Sequence, residues 1–274
     1  MLLLWLLGQS VGPAADGHPP GLPISVLPPP RPSVTTSRLP PETLPVRFRG
    51  QVISARPVSL KQKVVALTFD DGPDPDVTPD VLDLLRRTHV PATFFVIGER
   101  VKRWPELVQR EARDGHAIES HSYSHPHEEI SAWHAWRELQ RTALVITTWA
   151  GRAPTIFRPP YGNLTDHLSK AARHEGLCVV KWTVCGSDNP RLTAAEIVEA
   201  ATRDIRSGDI ILLHDGRGRH QTVRALPEIL RRLSDDGYRF VTVPQLLRRW
   251  DTALGHASGT KPLAARRNAA RRAG

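Results

Sequence analysis

Residues 64–73, which read VVALTFDDGP, decide the fold of this chain. The apolar run ends in two adjacent carboxylates, Asp70 and Asp71, and the chain then breaks at a Gly-Pro pair. A short apolar run bounded by turn residues predicts a buried strand that presents both acids at its carboxyl end. An ordinary acidic turn fits the same letters, because Asp, Gly and Pro are favoured in turns for backbone reasons alone. Two neighbouring carboxylates raise each other's pKa unless a cation lies nearby, so residues that could bind a cation or supply a positive charge are expected elsewhere in the chain.

Apolar segments and amphipathic segments alternate after this strand. Helices are predicted over residues 78–89, 100–113, 128–150, 165–175, 193–206 and 222–236. Further strands are predicted over residues 92–97, 117–120, 156–157, 178–184, 209–213 and 239–241. Alternation of this kind is typical of an α/β protein with a mainly parallel sheet. About seven such strands favour a distorted (β/α) barrel in a single catalytic domain, and no Gly-rich dinucleotide-binding turn follows the first strand.

The flanking segments differ from this domain in composition. Residues 1–15 begin with MLLLWLLG, too short an apolar run to span a bilayer, and predict a signal or truncated signal segment. Because no Lys or Arg precedes the run, an apolar tail of a cytosolic protein is the alternative. Residues 16–60 are rich in proline and predict an extended linker, which leaves residues 61–250 for the domain.

Much of the positive charge belongs to the predicted disordered tail, residues 251–274. The chain has a formal net charge of +9, and five basic residues without an acid follow Thr252. They are Lys261, Arg266, Arg267, Arg271 and Arg272. Nucleic-acid binding is therefore not predicted, whereas contact between this tail and anionic cell-wall polymer is compatible with the composition.

Two histidines could supply the missing cation site. His121 and His125 lie four residues apart in the segment SHSYSHP, a spacing that places two imidazoles on one side of a helical turn. In a chain with 12 histidines such a pair is also compatible with ordinary surface residues. Asp71 supplies a third ligand, and two His with one carboxylate form the ligand set of a catalytic zinc site.

The remaining polar residues at strand ends suit hydrolysis. A bound cation lowers the pKa of water to about 7, and Asp70 is then placed to take the water's proton. Arg158, in FRPPYG, can pair with Asp70 and keep it ionised. His214, in ILLHDG, can protonate a leaving amine, and Asp188 can hold that imidazole in its charged form. All of these residues follow strands, so a parallel barrel brings them to one face.

The segments TFDDGP, HSYSHP, RPPYG, the Asp188 segment and LLHDG, in this order, resemble the five motifs of NodB-type polysaccharide deacetylases, carbohydrate esterase family 4. The resemblance covers residues 61–250. It implies a distorted (β/α) barrel and a metal-dependent N-deacetylase of N-acetylated glycans. Its motifs assign the metal to Asp71, His121 and His125, the base to Asp70 and the acid to His214.

The same resemblance assigns the supporting residues. Arg158 orients the base and Asp188 is the partner of the acid, whereas Tyr161 donates its backbone N–H to the oxyanion. Leu212 lines the acetyl pocket, and Pro160 belongs to the same substrate-binding loop as Tyr161. The family's fourth motif usually has Trp where this chain has Asn189, which changes one wall of the groove.

We therefore expect a secreted or envelope-anchored monomeric enzyme that contains Zn²⁺, with Co²⁺ or another divalent ion as alternatives. Peptidoglycan is the expected substrate and chitin oligomers come next. An acetylxylan O-esterase of the same family and a non-catalytic glycan-binding module on the same fold remain open.

Overall fold

The computed structural model describes residues 43–189 and 191–257, in which helices and strands alternate as predicted. The strands are β1 (Val52–Ile53), β2 (Val64–Asp70), β3 (Thr93–Val96), β4 (Ala117–Ser120), β5 (Ile156–Phe157), β6 (Cys178–Val180), β7 (Val184–Cys185), β8 (Asp209–His214) and β9 (Arg239–Phe240). The helices are α1 (Thr78–Thr88), α2 (Gly98–Arg103), α3 (Pro105–Arg113), α4 (Ala132–Ala150), α5 (Asp166–His174), α6 (Ala194–Thr202), α7 (His220–Asp235) and α8 (Val243–Ala257). Short 3₁₀ helices cover Val46–Phe48 and Pro160–Gly162.

β2 lies in the middle of one parallel sheet of nine strands. The strand order is β1-β6-β5-β4-β3-β2-β8-β7, and β9 also pairs with β2. Each of the seven residues of β2 is buried, as expected for a strand covered on both faces. Its register places Asp70 beside Phe95 of β3 on one side and beside His214 of β8 on the other.

The sheet curves so that its two ends approach each other. β6 and β7 lie near opposite ends of the strand order, yet only residues 181–183 separate them in sequence. Four residue steps of extended chain span at most about 14 Å, so the ends of the sheet must lie close together. The predicted distorted barrel is confirmed.

The prediction of a single strand over residues 178–184 is wrong. The backbone N–H of Lys181 donates to Ile53 O (2.8 Å), whereas that of Thr183 donates to Ile210 O (3.0 Å). The chain thus changes its pairing partner from β1 to β8 within two residues. A continuous apolar run does not reveal such a change, since both halves are at least partly buried.

The predicted helix over residues 100–113 is two helices. α2 ends before Trp104, and Pro105 begins α3. A proline lacks the N–H that a continuing helix needs and disfavours helical backbone in the residue before it. Pro105 is favourable at the first turn of the second helix, where that N–H would have no partner inside the helix.

The predicted domain boundaries are too narrow. Residues 43–60 belong to the predicted linker, but Leu44 and Phe48 are 6% and 3% exposed and pack in the core. β1 from the same segment pairs with β6. At the other end, α8 continues through residues 251–257 of the predicted tail, and Arg47 Nε lies 3.3 Å from Asp251 Oδ1. Because the segment is rich in proline, its sequence does not indicate that a few apolar residues anchor it to the core.

Three predicted segments lie outside the described residues. They are the signal segment, residues 16–42 of the linker and residues 258–274 of the tail. In the part that is described, no helix combines the length and apolar character needed to cross a membrane. Cys178 and Cys185 are both free thiols.

Candidate metal and catalytic site

Asp71, His121 and His125 meet at the carboxyl end of the sheet. One oxygen or nitrogen atom from each lies within 4.8 Å of those of the other two. Asp71 Oδ1 is 3.5 Å from His121 Nε2 and 3.2 Å from His125 Nε2. Burial opposes ionisation of Asp71, but hydrogen bonds to the two imidazoles outweigh it and lower the pKa of this carboxyl. The carboxylate is therefore ionised at neutral pH.

The donor set fits a divalent ion such as zinc. A tetrahedral ion with bonds of about 2.1 Å places its ligands about 3.4 Å apart, close to the two observed separations. His121 Nδ1 lies 2.8 Å from the carbonyl oxygen of Arg158, which leaves its Nε2 free to face Asp71. Metal-binding histidines are usually oriented by such a contact through their second nitrogen.

The loop that carries the two histidines is not the helical turn that their spacing suggested. Ser122 and His125 have φ values of 65° and 57°, in the left-handed region, and Ser122 Oγ accepts a hydrogen bond from His125 N (3.1 Å). Asp71 and Tyr161 have φ values of 73° and 57°. Such backbone conformations are costly for non-glycine residues and are often found at functional sites.

Glu138 of α4 holds this loop in place, and sequence reasoning missed it. Its Oε2 accepts hydrogen bonds from the backbone N–H groups of Tyr123 and Ser124, both at 2.8 Å, and its Oε1 accepts one from Ser124 Oγ (3.0 Å). Glu138 is only 8% exposed. The available signal was one acidic residue on the face of α4 that also carries Ala135, Leu139 and Thr142.

Asp70 and Arg158 form a buried ion pair next to this cluster. Arg158 Nη1 donates to Asp70 Oδ1 (2.7 Å) and to Thr68 Oγ1 (2.8 Å). The guanidinium also donates to the carbonyl oxygens of Val180 and Lys181, both at 3.1 Å. Burial lowers the pKa of Arg158, an effect that Asp70 partly offsets. Four hydrogen bonds fix the guanidinium and, through it, one oxygen of Asp70.

The second oxygen of Asp70 points towards the cluster. Asp70 Oδ2 lies 3.9 Å from His121 Nε2. This carboxylate is therefore adjacent to the three candidate ligands, while its other oxygen is bound to Arg158. A group in this position can accept a proton from a water molecule located at the cluster.

His214 and Asp188 form a second pair on the other side of Asp70. Asp188 Oδ1 lies 2.7 Å from His214 Nδ1, and Asp188 Oδ2 accepts hydrogen bonds from His214 N and Thr222 Oγ1, each at 2.7 Å. Burial opposes protonation of His214, but the hydrogen bond and charge of Asp188 outweigh it and raise the pKa of the imidazole. In the protonated imidazole, Nδ1–H donates to Asp188. The proton on Nε2, at the opposite edge of the ring, is the one that remains available for transfer.

The three predicted substrate-binding residues lie around these pairs. Leu212 is 4% exposed and lies two residues before His214, so both side chains project from the same face of β8. Pro160 is buried, and Tyr161 is 60% exposed with its ring packed against His125 at a centroid distance of 4.6 Å. The structure thus brings every predicted site residue to the carboxyl end of the sheet.

Asp215, the residue after His214, is a further buried carboxyl beside the site. Its Oδ2 accepts a hydrogen bond from Thr78 Oγ1 (2.6 Å), and burial raises its pKa to about 7. A Cβ atom at Gly72 would approach this oxygen to 2.3 Å. Only glycine therefore fits in the turn that follows Asp71.

Comparisons with known proteins identify relatives of the whole domain. The sequence model of the family described as polysaccharide deacetylase matches residues 58–180. A peptidoglycan-N-acetylglucosamine deacetylase of Bacillus cereus is 43% identical over 200 residues, which are 70% of this chain and 91% of that protein. A chitooligosaccharide deacetylase of Bradyrhizobium is 38% identical and covers 66% of this chain and 90% of its own length.

A solved structure is similar as well. The crystal structure of a peptidoglycan N-acetylglucosamine deacetylase in complex with 4-naphthalen-1-yl-N-oxidanyl-benzamide has a TM-score of 0.68 and 34% identity to this chain. The similarity covers 73% of this chain and 94% of that one. Fold and sequence comparisons therefore agree.

Proposed function

Because the chain belongs to the polysaccharide deacetylase family, we propose that it hydrolyses the N-acetyl group of N-acetylglucosamine units in a polysaccharide, with peptidoglycan as the substrate. The observation that carries this proposal is the arrangement at the end of β2. This end of the strand brings together the Asp71-His121-His125 cluster, the Asp70 carboxylate held by Arg158, and His214 paired with Asp188.

Asp71, His121 and His125 would hold the ion, for which zinc is our choice and cobalt or another divalent ion the alternative. When bound, such an ion supplies a Lewis acid that polarises the acetyl carbonyl and makes water more acidic. The protein's share is to keep Asp71 ionised and to orient both imidazoles.

Asp70 is the general base in this proposal. It accepts the proton of the attacking water with the oxygen that is not bound to Arg158. The four hydrogen bonds of Arg158 restrict the carboxylate to one orientation, so little reorganisation accompanies proton transfer. The backbone N–H of Tyr161 is the candidate donor to the oxygen on which negative charge develops.

His214 is the general acid that protonates the leaving nitrogen. An amine is a poor leaving group until it carries a proton, and Asp188 keeps an imidazolium available for that step. Asp70 and His214 occupy directly opposite positions on β2 and β8. Because they lie on neighbouring strands, Asp70 can deprotonate the water that attacks the amide carbon while His214 protonates the nitrogen of the same amide.

Peptidoglycan is preferred over chitin oligomers because the relative with the greater identity is named for it. Secretion to the cell envelope and contact of the basic tail with anionic wall polymer belong to the same proposal. They are supported by the apolar start and by the charge of residues 251–274. One copy of the chain supplies every residue invoked, so we propose a monomer.

The experiment is an acetate-release assay on peptidoglycan, chitin oligomers and acetylated xylan. Chelation with EDTA should abolish release and added zinc or cobalt should restore it. Asp70→Asn should bind zinc but fail to turn over, whereas His125→Ala should lose both, and the surface variant His134→Ala should behave like the unmodified protein. Release that is indifferent to chelator would refute the metal-dependent reaction, and release from xylan alone would favour the O-esterase.

A further inference from the structure

His127 follows the predicted metal ligand His125 by two residues and lies outside the motifs described above. Sequence reasoning gives no role to this exposed imidazole. In the structure its ring contacts the ring of Tyr161, with centroids 4.9 Å apart and planes at 71°. Tyr161 in turn contacts His125 at 4.6 Å and 63°.

These contacts form a row of rings that leads outward from the cluster. His125 is at the inner end, 3.2 Å from Asp71, Tyr161 is in the middle and His127 is at the outer end. Tyr161 is 60% exposed, so the row lies open to solvent. Rings that bury little surface against the core contribute little to the fold, and exposed aromatic groups beside a reactive site commonly bind ligands.

The rings of Tyr161 and His127 are nearly perpendicular, so together they form a corner at the outer end of the row. Two surfaces at 71° limit the movement of a flat ligand in two directions, whereas a single ring limits it in one. The C–H groups on the face of a pyranose ring pack well on aromatic faces, whose quadrupole is negative there. The Tyr161 ring contacts His125 on one side and His127 on the other, and these two contacts hold it in position.

We propose that His127 and Tyr161 form a binding corner for the sugar unit next to the one that is deacetylated. This inference rests on the proposed function and adds a substrate-positioning residue to it. The backbone N–H of Tyr161 is assigned to the reacting acetamide, and His127 lies one ring further from the cluster. His127 therefore contacts the neighbouring unit of the polymer and favours chains over single sugars.

The test compares His127→Ala with the unmodified protein on two substrates, N-acetylglucosamine tetramer and 4-nitrophenyl acetate, which has no sugar ring. We expect kcat/KM on the tetramer to fall about tenfold, mainly through KM, and to fall at least five times less on the ester. His127→Phe, which keeps a flat ring, should recover most of the activity on the tetramer. His134→Ala, an exposed histidine without a ring contact to Tyr161, is the matched control.

Any one of several results would overturn the inference. These are unchanged kinetics of His127→Ala on the tetramer, equal losses on both substrates, or a loss of bound zinc, which would place His127 in the metal site instead. Failure of His127→Phe to recover activity would exclude ring packing. If the unmodified protein releases no acetate from any glycan, the proposed function fails, which is a different outcome from each of these.

Discussion

Replacement of Asp188 by Asn should shift the alkaline limit of activity to lower pH. Asp188 receives three hydrogen bonds of 2.7 Å, two from His214 and one from Thr222, and its charge favours the imidazolium. The pKa of His214 is raised by this partner despite its burial. The protonated acid exists below that pKa and is lost as pH rises through it, so a lower pKa removes activity from the alkaline side.

The size of the effect follows from the contact that is lost. A hydrogen bond to a charged group contributes about 1.5–3 kcal/mol, and 1.4 kcal/mol corresponds to a factor of ten. The His214 side chain is only 22% exposed, so solvent replaces little of this contact. On the alkaline side we expect kcat/KM to fall about 10- to 100-fold, with a smaller loss on the acidic side, where His214 stays protonated without help.

The assay is the pH dependence of kcat/KM for acetate release from chitin tetramer, which reports ionisation in the free enzyme. Thr222→Val is the matched control, because it removes one hydrogen bond from Asp188 but leaves the charge next to His214. Its alkaline limb should stay close to that of the unmodified protein. If the limb of Asp188→Asn coincides with that of the unmodified protein, His214 is not the acid that Asp188 supports.

Three further variants test other contacts. Arg158→Met leaves Asp70 as an unpaired buried charge and should lower the free energy of unfolding in urea by about 3–5 kcal/mol. Addition of Asp70→Asn should restore part of this loss, and a double variant no more stable than Arg158→Met would contradict the prediction. Glu138→Gln should weaken zinc binding about 10- to 100-fold in a chelator competition, whereas Glu129→Gln, at an exposed site, should not. Equal zinc affinities of Glu138→Gln and the unmodified protein would show that the histidine loop does not need Glu138 as an anchor. The Glu111 carboxyl is fully buried without a hydrogen-bond partner among the described residues, and burial raises its pKa well above 4.5. Stability should therefore fall by about 1.4 kcal/mol per pH unit between 4.5, its ordinary pKa, and the raised pKa of the folded state. Glu111→Gln should remove this slope from the pH dependence of urea unfolding, and an unchanged slope would show that Glu111 ionises freely.

The arrangement of the site was predictable because the residues follow strands. In a parallel barrel the carboxyl ends of all strands open on one face, so Asp70, His121, Arg158 and His214 had to meet there. The alternation of apolar and amphipathic segments was sufficient to predict that barrel. The positions of single side chains within the face were not predictable in the same way, since the loop of His121 and His125 has a left-handed backbone instead of the helical turn that their spacing suggested.

Other features could not be read from the sequence because they depend on contacts with distant residues. Leu44 and Phe48 lie among prolines, and nothing local indicates that the core has space for them. Glu138 and Glu111 are acids on amphipathic helices, where a charged residue normally faces water. The Glu138 carboxylate binds the backbone of the histidine loop, whereas the Glu111 carboxyl has no hydrogen-bond partner in the described part of the chain. Only the tertiary structure makes this distinction.

Arg158 connects the position of the base to the position of the acid. Because side chains alternate along a strand, a shift of β8 by one residue against β2 would turn His214 away from the cleft and Leu213 into it. Thr68 Oγ1 opposes this shift, since it donates to Ile211 O (2.7 Å) across the two strands and accepts from Arg158 Nη1 (2.8 Å). The same Nη1 binds Asp70. The guanidinium therefore orients the base directly and, through Thr68, supports the register that places the acid beside it.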